Sequence, residues 1–267
     1  MGTEKGVLGR LFLRYASPLA GIRRVPVLGQ CASWVSARLV PRDTLTWMQV
    51  SRGPAQGLWL RLNPRTGREY FRGEVEPEVQ NVFQKFLRPG MTIYDIGGNI
   101  GFFSLLAARL AGESGKVISF EADPEIAARL REHVARNEFP NISVQEIAVW
   151  SESRGLLFAR ADAATSPDRG LGHVDLSATG SSSAEVPGIS LDDFVRGSPA
   201  PDFVKCDVEG AEVEVFRGAR KLLAEKRPVI LCEMHSEENR RALMELWSSH
   251  GFSCDSRGEH HVLALPQ

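Results

Sequence analysis

The sequence predicts a doubly wound α/β fold, a mostly parallel sheet with helices on both faces. Three observations predict it. From Gly90 onward, short apolar runs alternate with segments of helical period, the pattern of repeated strand and helix units. A glycine-rich turn, Gly97-Gly98-Asn99-Ile100-Gly101, follows the first of those runs. Two further runs, Phe252 to Cys254 and His261 to Leu265, end the chain without a helix between them and read as a closing antiparallel pair.

The chain has 267 residues, 43% hydrophobic and 24% charged, enough to bury the core of one α/β domain. A formal net charge of -1 supplies no global basic field, so no nucleic-acid partner is expected. Cys31, Cys206, Cys232 and Cys254 show no Cys-x-x-Cys pairing or Cys/His metal spacing, and two fall in expected core strands, which fits a reducing cytoplasm. No stretch reaches the roughly 18 uninterrupted apolar residues of a membrane span. Arg10 and Arg14 interrupt the first apolar run where a signal peptide needs a clean core.

Residues 1–44 form a basic arm. Between Lys5 and Arg42 every charge is positive, interleaved with Leu11, Phe12, Leu13, Ile22, Trp34 and Leu39. Two readings stay open: short helices packed on the domain or on a second subunit, making a homo-oligomer, or peripheral contact with an anionic membrane surface. Pro18, Pro26 and Pro41 argue against one long amphipathic helix. Residues 45–90 read as an extension that packs on the core. It holds two short strands, one of them in the alternating Gly57 to Leu62, then a helix from Glu74 to Leu87 stopped by Pro89-Gly90.

Residues 91–267 carry the repeated units. The first strand is Thr92 to Asp95, followed by a helix through Phe102, Phe103, Leu105 and Leu106. The second is Lys116 to Glu121, after which Asp123-Pro124 makes an N-cap and first-turn pair for the next helix. The third is Ile142 to Ile147. The fourth is Phe203 to Asp207, with one helix presenting Val215, Phe216, Ala219, Leu222 and Leu223. The fifth, Pro228 to Glu233, leads to a helix capped near Ser236 and stopped by Gly251. Residues 151–190, rich in Gly, Ser, Ala and Asp, form an insertion too long for a simple connection. Within it, Ser166 to Ser183 is expected to be a flexible cover that orders on acceptor binding.

In open α/β sheets ligands sit beyond the carboxyl ends of the strands where strand order reverses, which places Asp95 and the turn at a binding site. Glycine lets the backbone approach a ligand closely. For a Gly-x-Gly-x-x-Gly/Ala dinucleotide fingerprint read from Gly97, the second glycine is Asn99 and the third position is Phe102, so pyrophosphate binding is disfavoured. Asp95 is a poor neighbour for phosphate and a good one for an ammonium and a sulfonium. Glu121, about 20 residues beyond the turn, suits the two hydroxyls of a ribose.

These segments resemble the FkbM-type methyltransferase family. The resemblance runs through Tyr94 to Gly101, Phe120-Glu121-Ala122-Asp123-Pro124, Ser190-Leu191-Asp192-Asp193-Phe194, Val204 to Glu212 and Val215 to Ala219, in order and spacing, and covers about residues 57–266. The family commonly has Ala at Gly98 and Pro at Ala122. The resemblance implies a class I methyltransferase-like fold, S-adenosylmethionine as cofactor, and O-methylation of a hydroxyl on a sugar, glycolipid or secondary metabolite. It also implies that Asp95, Gly97, Asn99, Gly101, Glu121 and Ala122 hold the cofactor, that Ala148 and Val149 border the adenine, and that Glu76 approaches from the preceding helix.

Asp207, Glu209 and Glu233 cluster at the ends of the fourth and fifth strands beside His235. Asp207, Glu209 and His235 are the candidate catalytic residues, orienting or deprotonating a hydroxyl directly or through a divalent ion. Two rival readings are a nicotinamide-dependent oxidoreductase, opposed by Asn99 and Phe102, and a non-catalytic binding protein that keeps the cofactor fold.

Overall fold

The computed structural model describes residues 44–159, 173–174 and 183–267. The basic arm and most of the expected cover, residues 166–182 apart from 173–174, lie outside the described residues, as do their proposed membrane, subunit and acceptor contacts.

A hairpin of β1 (Thr46–Gln49) and β2 (Trp59–Leu62) comes first, antiparallel with Thr46 opposite Leu62. It is fastened to the domain by side chains of a later helix: Trp59 N–H donates to Asn137 Oδ1 at 2.8 Å, and Arg61 N–H to His133 Nε2 at 2.8 Å. That second bond fixes the His133 tautomer, so Nδ1 donates to the Ile100 carbonyl at 2.7 Å, and burial pushes the imidazole pKa down to about 4. The glycine-rich turn and the hairpin are thereby joined through one neutral histidine.

Next come α1 (Arg68–Arg72) and α2 (Pro77–Phe86). The expected helix from Glu74 begins three residues later, because Pro77 is its first residue and the position before a proline avoids the helical region. Glu76 is the N-cap with φ 39°, not a helical residue. Phe83 of α2 packs edge-on against Phe103 and Phe203, so the extension shares one core with the sheet.

The strand and helix units follow: β3 (Thr92–Ile96), α3 (Phe102–Ala111), β4 (Lys116–Phe120), α4 (Pro124–Asn137) and β5 (Ile142–Gln145). Asp123 caps α4 as expected, its Oδ1 accepting from the N–H groups of Glu125 and Ile126. The expected third strand, Ile142 to Ile147, is two residues shorter. β5 ends at Gln145, and β6 (Ala148–Val149) leaves the main sheet to join β7 (Gly155–Ala159), β8 (His173–Val174) and β9 (Ser183–Ile189) in the order β6-β9-β7-β8. The insertion is therefore bounded by a paired ribbon, where the sequence predicts only a loop; Leu156, Phe158 and Val186 give it a small core with Trp150.

After α5 (Leu191–Phe194) and β10 (Phe203–Cys206), the single expected helix is two, α6 (Glu212–Arg217) and α7 (Arg220–Glu225). Asp192 explains the break: its carboxylate accepts from the N–H groups of Lys221 and Leu222, capping α7 from outside, and its own N–H donates to the Gly218 carbonyl. The chain ends with β11 (Val229–Glu233), α8 (Glu237–Ser249), β12 (Phe252–Arg257) and β13 (His261–Pro266). Ser236 caps α8 through the Asn239 N–H, as expected.

The main sheet has the order β12-β13-β11-β10-β3-β4-β5. β5, β4, β3, β10 and β11 run parallel, and β13 and β12 close the edge antiparallel. Strand order reverses between β3 and β10, so a crevice opens beyond Ile96 and Cys206.

Candidate active site

β3 ends in a turn at Gly97, φ 78°. A Cβ there would stand 1.8 Å from the Asp207 carbonyl oxygen, so only glycine allows the tips of β3 and β10 to meet. Asn99 follows in the left-handed region at φ 49°, which asparagine tolerates. That conformation aims its N–H at Glu121 Oε2, 2.9 Å away, while the Asp123 N–H donates to Oε1 at 2.8 Å. Both carboxylate oxygens are thus oriented by backbone, and each keeps a lone-pair direction for a ligand hydroxyl. Burial pushes the Glu121 carboxyl up to about 7 against the pull of those two donors.

A cavity with an empty volume of about 610 Å³, mouth included, fills the crevice. Gly97, Asn99, Glu121, Ala122, Ala148, Val149, Asp207 and Glu209 all line it. Eight of the expected residues are therefore brought together. Asp95, Gly101, Glu76 and His235 do not line this cavity. Gly101, φ 90°, starts α3 and packs under Leu130. Glu76, which the sequence reading places on a helix facing the cofactor, turns its carboxylate to His261 instead.

Asp95 lies fully buried beneath the turn, accepting from Ser104 Oγ at 2.5 Å. Its charge is met by a residue the sequence reading did not assign. Lys205, in the middle of β10, is 3% exposed and puts Nζ 3.7 Å from Asp95 Oδ1 and 3.2 Å from Asp207 Oδ2. Burial works to lower the ammonium pKa, and the Asp207, Asp95 and Glu76 carboxylates outweigh it, so Lys205 stays charged. Burial likewise opposes ionisation of Asp207. The Lys205 charge, a hydrogen bond with Glu233 and the His235 charge together hold its pKa below the usual carboxylate value. Glu233 carries the counterpart, raised to about 7 by burial and by Asp207. The signal for Lys205 was a lone cation inside a four-residue apolar strand.

His235 does not line the cavity but stands against two residues that do. Its Nδ1 donates to Glu212 Oε1 at 2.6 Å, and Nε2 faces Glu209 Oε2 at 3.4 Å and Asp207 Oδ1 at 3.9 Å. Glu212 is fully buried and held by the Gly210 N–H and Asn239 Nδ2. The bond to Glu212 raises the His235 pKa to about 9, so at neutral pH this histidine is an imidazolium and offers charge rather than basicity. A histidine raised on folding stabilises fully below its unfolded pKa of 6.5 and loses that contribution as pH climbs through about 9. With its side chain 24% exposed, the contribution is at most about 3 kcal/mol. The melting temperature should therefore fall more steeply between pH 6.5 and 9 in the natural chain than in His235→Gln. Equal slopes would show that His235 contributes nothing.

The chain is similar to known methyltransferases. A family model described as the methyltransferase FkbM domain matches residues 95–254. Hexuronic acid methyltransferase AglP of Haloferax volcanii is 29% identical over 181 residues, covering 66% of this chain and 70% of that protein. Arsenite methyltransferase of Halobacterium salinarum is 28% identical over 126 residues, 45% of this chain, and the chain spans only 32% of that protein's length. Among solved structures, the methyltransferase FkbM from Methylobacillus flagellatus is 16% identical, with a TM-score of 0.49 over 70% of this chain and 52% of that one.

Proposed function

The chain belongs to the FkbM methyltransferase family, and from that premise we propose that it transfers a methyl group from S-adenosylmethionine to a hydroxyl, of a sugar by preference. The observation that carries the reading is that one cavity is lined by two carboxylates in different settings: Glu121, oriented by two backbone donors, and Asp207, held ionised by its neighbours. Glu121 would hold the ribose hydroxyls through the lone pairs that Asn99 and Asp123 leave. Ala148 and Val149 would flank the adenine. Gly97 keeps the floor low enough for the ligand, and Asp95 with Lys205 sets the polarity under it. When bound, the cofactor supplies an electrophilic methyl on sulfur, so the protein's work is positioning in a dry pocket and taking up the hydroxyl proton. Asp207 is the group placed to orient that hydroxyl and receive the proton. Support for a sugar acceptor comes from the relative named as a hexuronic acid methyltransferase, which the chain matches over most of that protein's length.

Calorimetric titration tests the cofactor side. Two charge-assisted hydrogen bonds contribute roughly 1.5–3 kcal/mol each, so Glu121→Ala should weaken S-adenosylmethionine binding by about 10²-fold or more. Hydroxyl donors favour the carboxylate form, so binding by the natural chain should tighten as pH rises through about 7. Unchanged affinity in Glu121→Ala, or equal affinity for NAD, would overturn the assignment. The acceptor side is tested by incubating candidate hexuronic acids and sugars with isotopically labelled cofactor and following label transfer.

A further inference from the structure

We propose that Glu76, Glu233 and His261 form a binding site for a divalent transition ion of the zinc class, beside the Asp207 carboxylate and separate from the cofactor cavity. The topology assembles it. Glu233 ends β11 and His261 begins β13, and the two stand directly opposite in the antiparallel register. Glu76, in its left-handed cap ahead of α2, brings a third side chain from the other side of the sheet's end. One ligand atom from each residue lies within 4.8 Å of the other two.

His261 points to a ligand independently of the cluster. Its side chain is only 5% exposed, yet neither ring nitrogen has a hydrogen-bond partner, and Glu76 Oε2 is likewise buried without one. Buried donors and acceptors are normally satisfied, and an imidazole with both nitrogens unmatched is costly to desolvate. The spacing is that of co-ligands rather than of a hydrogen bond. His261 Nε2 and Glu76 Oε2 are 3.4 Å apart, and two ligands each about 2.0–2.1 Å from a tetrahedral ion stand about 3.4 Å apart. On the far side of the ring, Nδ1 faces Glu78 Oε1 at 3.7 Å. A carboxylate in that place orients a metal-binding histidine by holding the proton on the outer nitrogen. The imidazole selects a zinc-like ion over Mg²⁺ or Ca²⁺, which prefer oxygen alone. Lys205, the buried cation of this region, makes its ion pairs with Asp95 and Asp207 and reaches Glu76 only as a longer-range charge. Three protein ligands leave a position open to water.

The inference is independent of methyl transfer, because it is tested by metal binding to the full chain. After chelator treatment, titration with ZnCl₂ should show one ion bound per chain, and MgCl₂ should not compete. Glu76→Gln and His261→Asn should each weaken binding at least tenfold, the scale on which even residues behind a ligand matter. Absence of stoichiometric binding would overturn the site, and so would unchanged affinity in both variants. Loss in His235→Asn with retention in His261→Asn would also overturn it, placing the ion among Asp207, Glu233 and His235 instead. Should His261→Asn fail to fold, Glu76→Gln carries the same test from the helix start. Co²⁺ gives a second readout: the visible absorption of a tetrahedral nitrogen and oxygen site is expected in the natural chain and lost in Glu76→Gln.

Discussion

Asp207→Asn should lower methyl-transfer turnover by about 10²–10⁴-fold, the usual range for losing a positioned acid or base, while S-adenosylmethionine affinity stays nearly unchanged. The side chain is nearly isosteric, so the change removes basicity and charge rather than volume. Asp207 lines the cavity, and Lys205 at 3.2 Å together with the His235 charge keeps it ionised where its neighbour Glu233 still holds a proton near pH 7. Single-turnover kinetics with labelled cofactor would measure the effect. Full turnover in the variant would make Asp207 a purely structural partner of Lys205 and move the proton-accepting role to Glu209, which also lines the cavity. Chelation separates direct from metal-assisted chemistry: turnover indifferent to EDTA is expected if Asp207 acts alone.

Lys205→Met should destabilise the fold by about 3–5 kcal/mol at pH 7, the cost of removing one partner of a buried ion pair. The methionine keeps the volume and the contact over the Phe103 ring, where Nζ now lies 5.3 Å from the centroid. What it leaves behind is Asp95, fully buried, facing Asp207 with no cation between them. Burial already raises the Asp95 pKa, and without Lys205 it would rise further while that of Asp207, now held low, would rise as well. The sign of the pH dependence follows. The deficit should be largest near pH 7, where folding must keep both groups charged or bind protons at a cost, and should shrink toward pH 5 as they protonate. Urea denaturation at the two pH values measures it. Equal stability of variant and natural chain at pH 7 would show that the Asp95–Lys205–Asp207 triad only breaks even with an apolar core.

The parallel strands and the glycine turn were legible because period and punctuation are local. Thr92 to Asp95, Lys116 to Glu121 and Phe203 to Asp207 announce themselves as short apolar runs ending in acids, and the acids fall at the crevice because strands end there. Glu121, Asn99 and Gly97 could be named for the same reason. What stayed illegible depends on contacts between distant segments. Lys205 reads as an interruption of a strand until Asp95 and Asp207 are seen on either side of it. The break between α6 and α7 depends on Asp192, some 30 residues away. Asp95 looks like a ligand contact from its place in the motif, yet its burial under the turn makes it a support for the floor. Glu76 was placed on a helix because the apolar period continues through Val75, although Pro77 on its far side marks the true start.

The ribbon of β7 and β9 gives the chain a place where it can change. Ala159 stands opposite Ser183 of β9 and His173 of β8, so β7 is the strand on which both of the others pair. The ribbon's base is part of the cavity wall: β9 pairs with β6 through Ala148 and Gly188, and Phe158 reaches the cavity. Lengthening a loop whose ends are already joined costs little, about 0.6 kcal/mol for each doubling. Added residues between Ala159 and Ser183 would therefore cost the fold little, while Ala148, Val149 and Phe158 keep their places in the cavity lining.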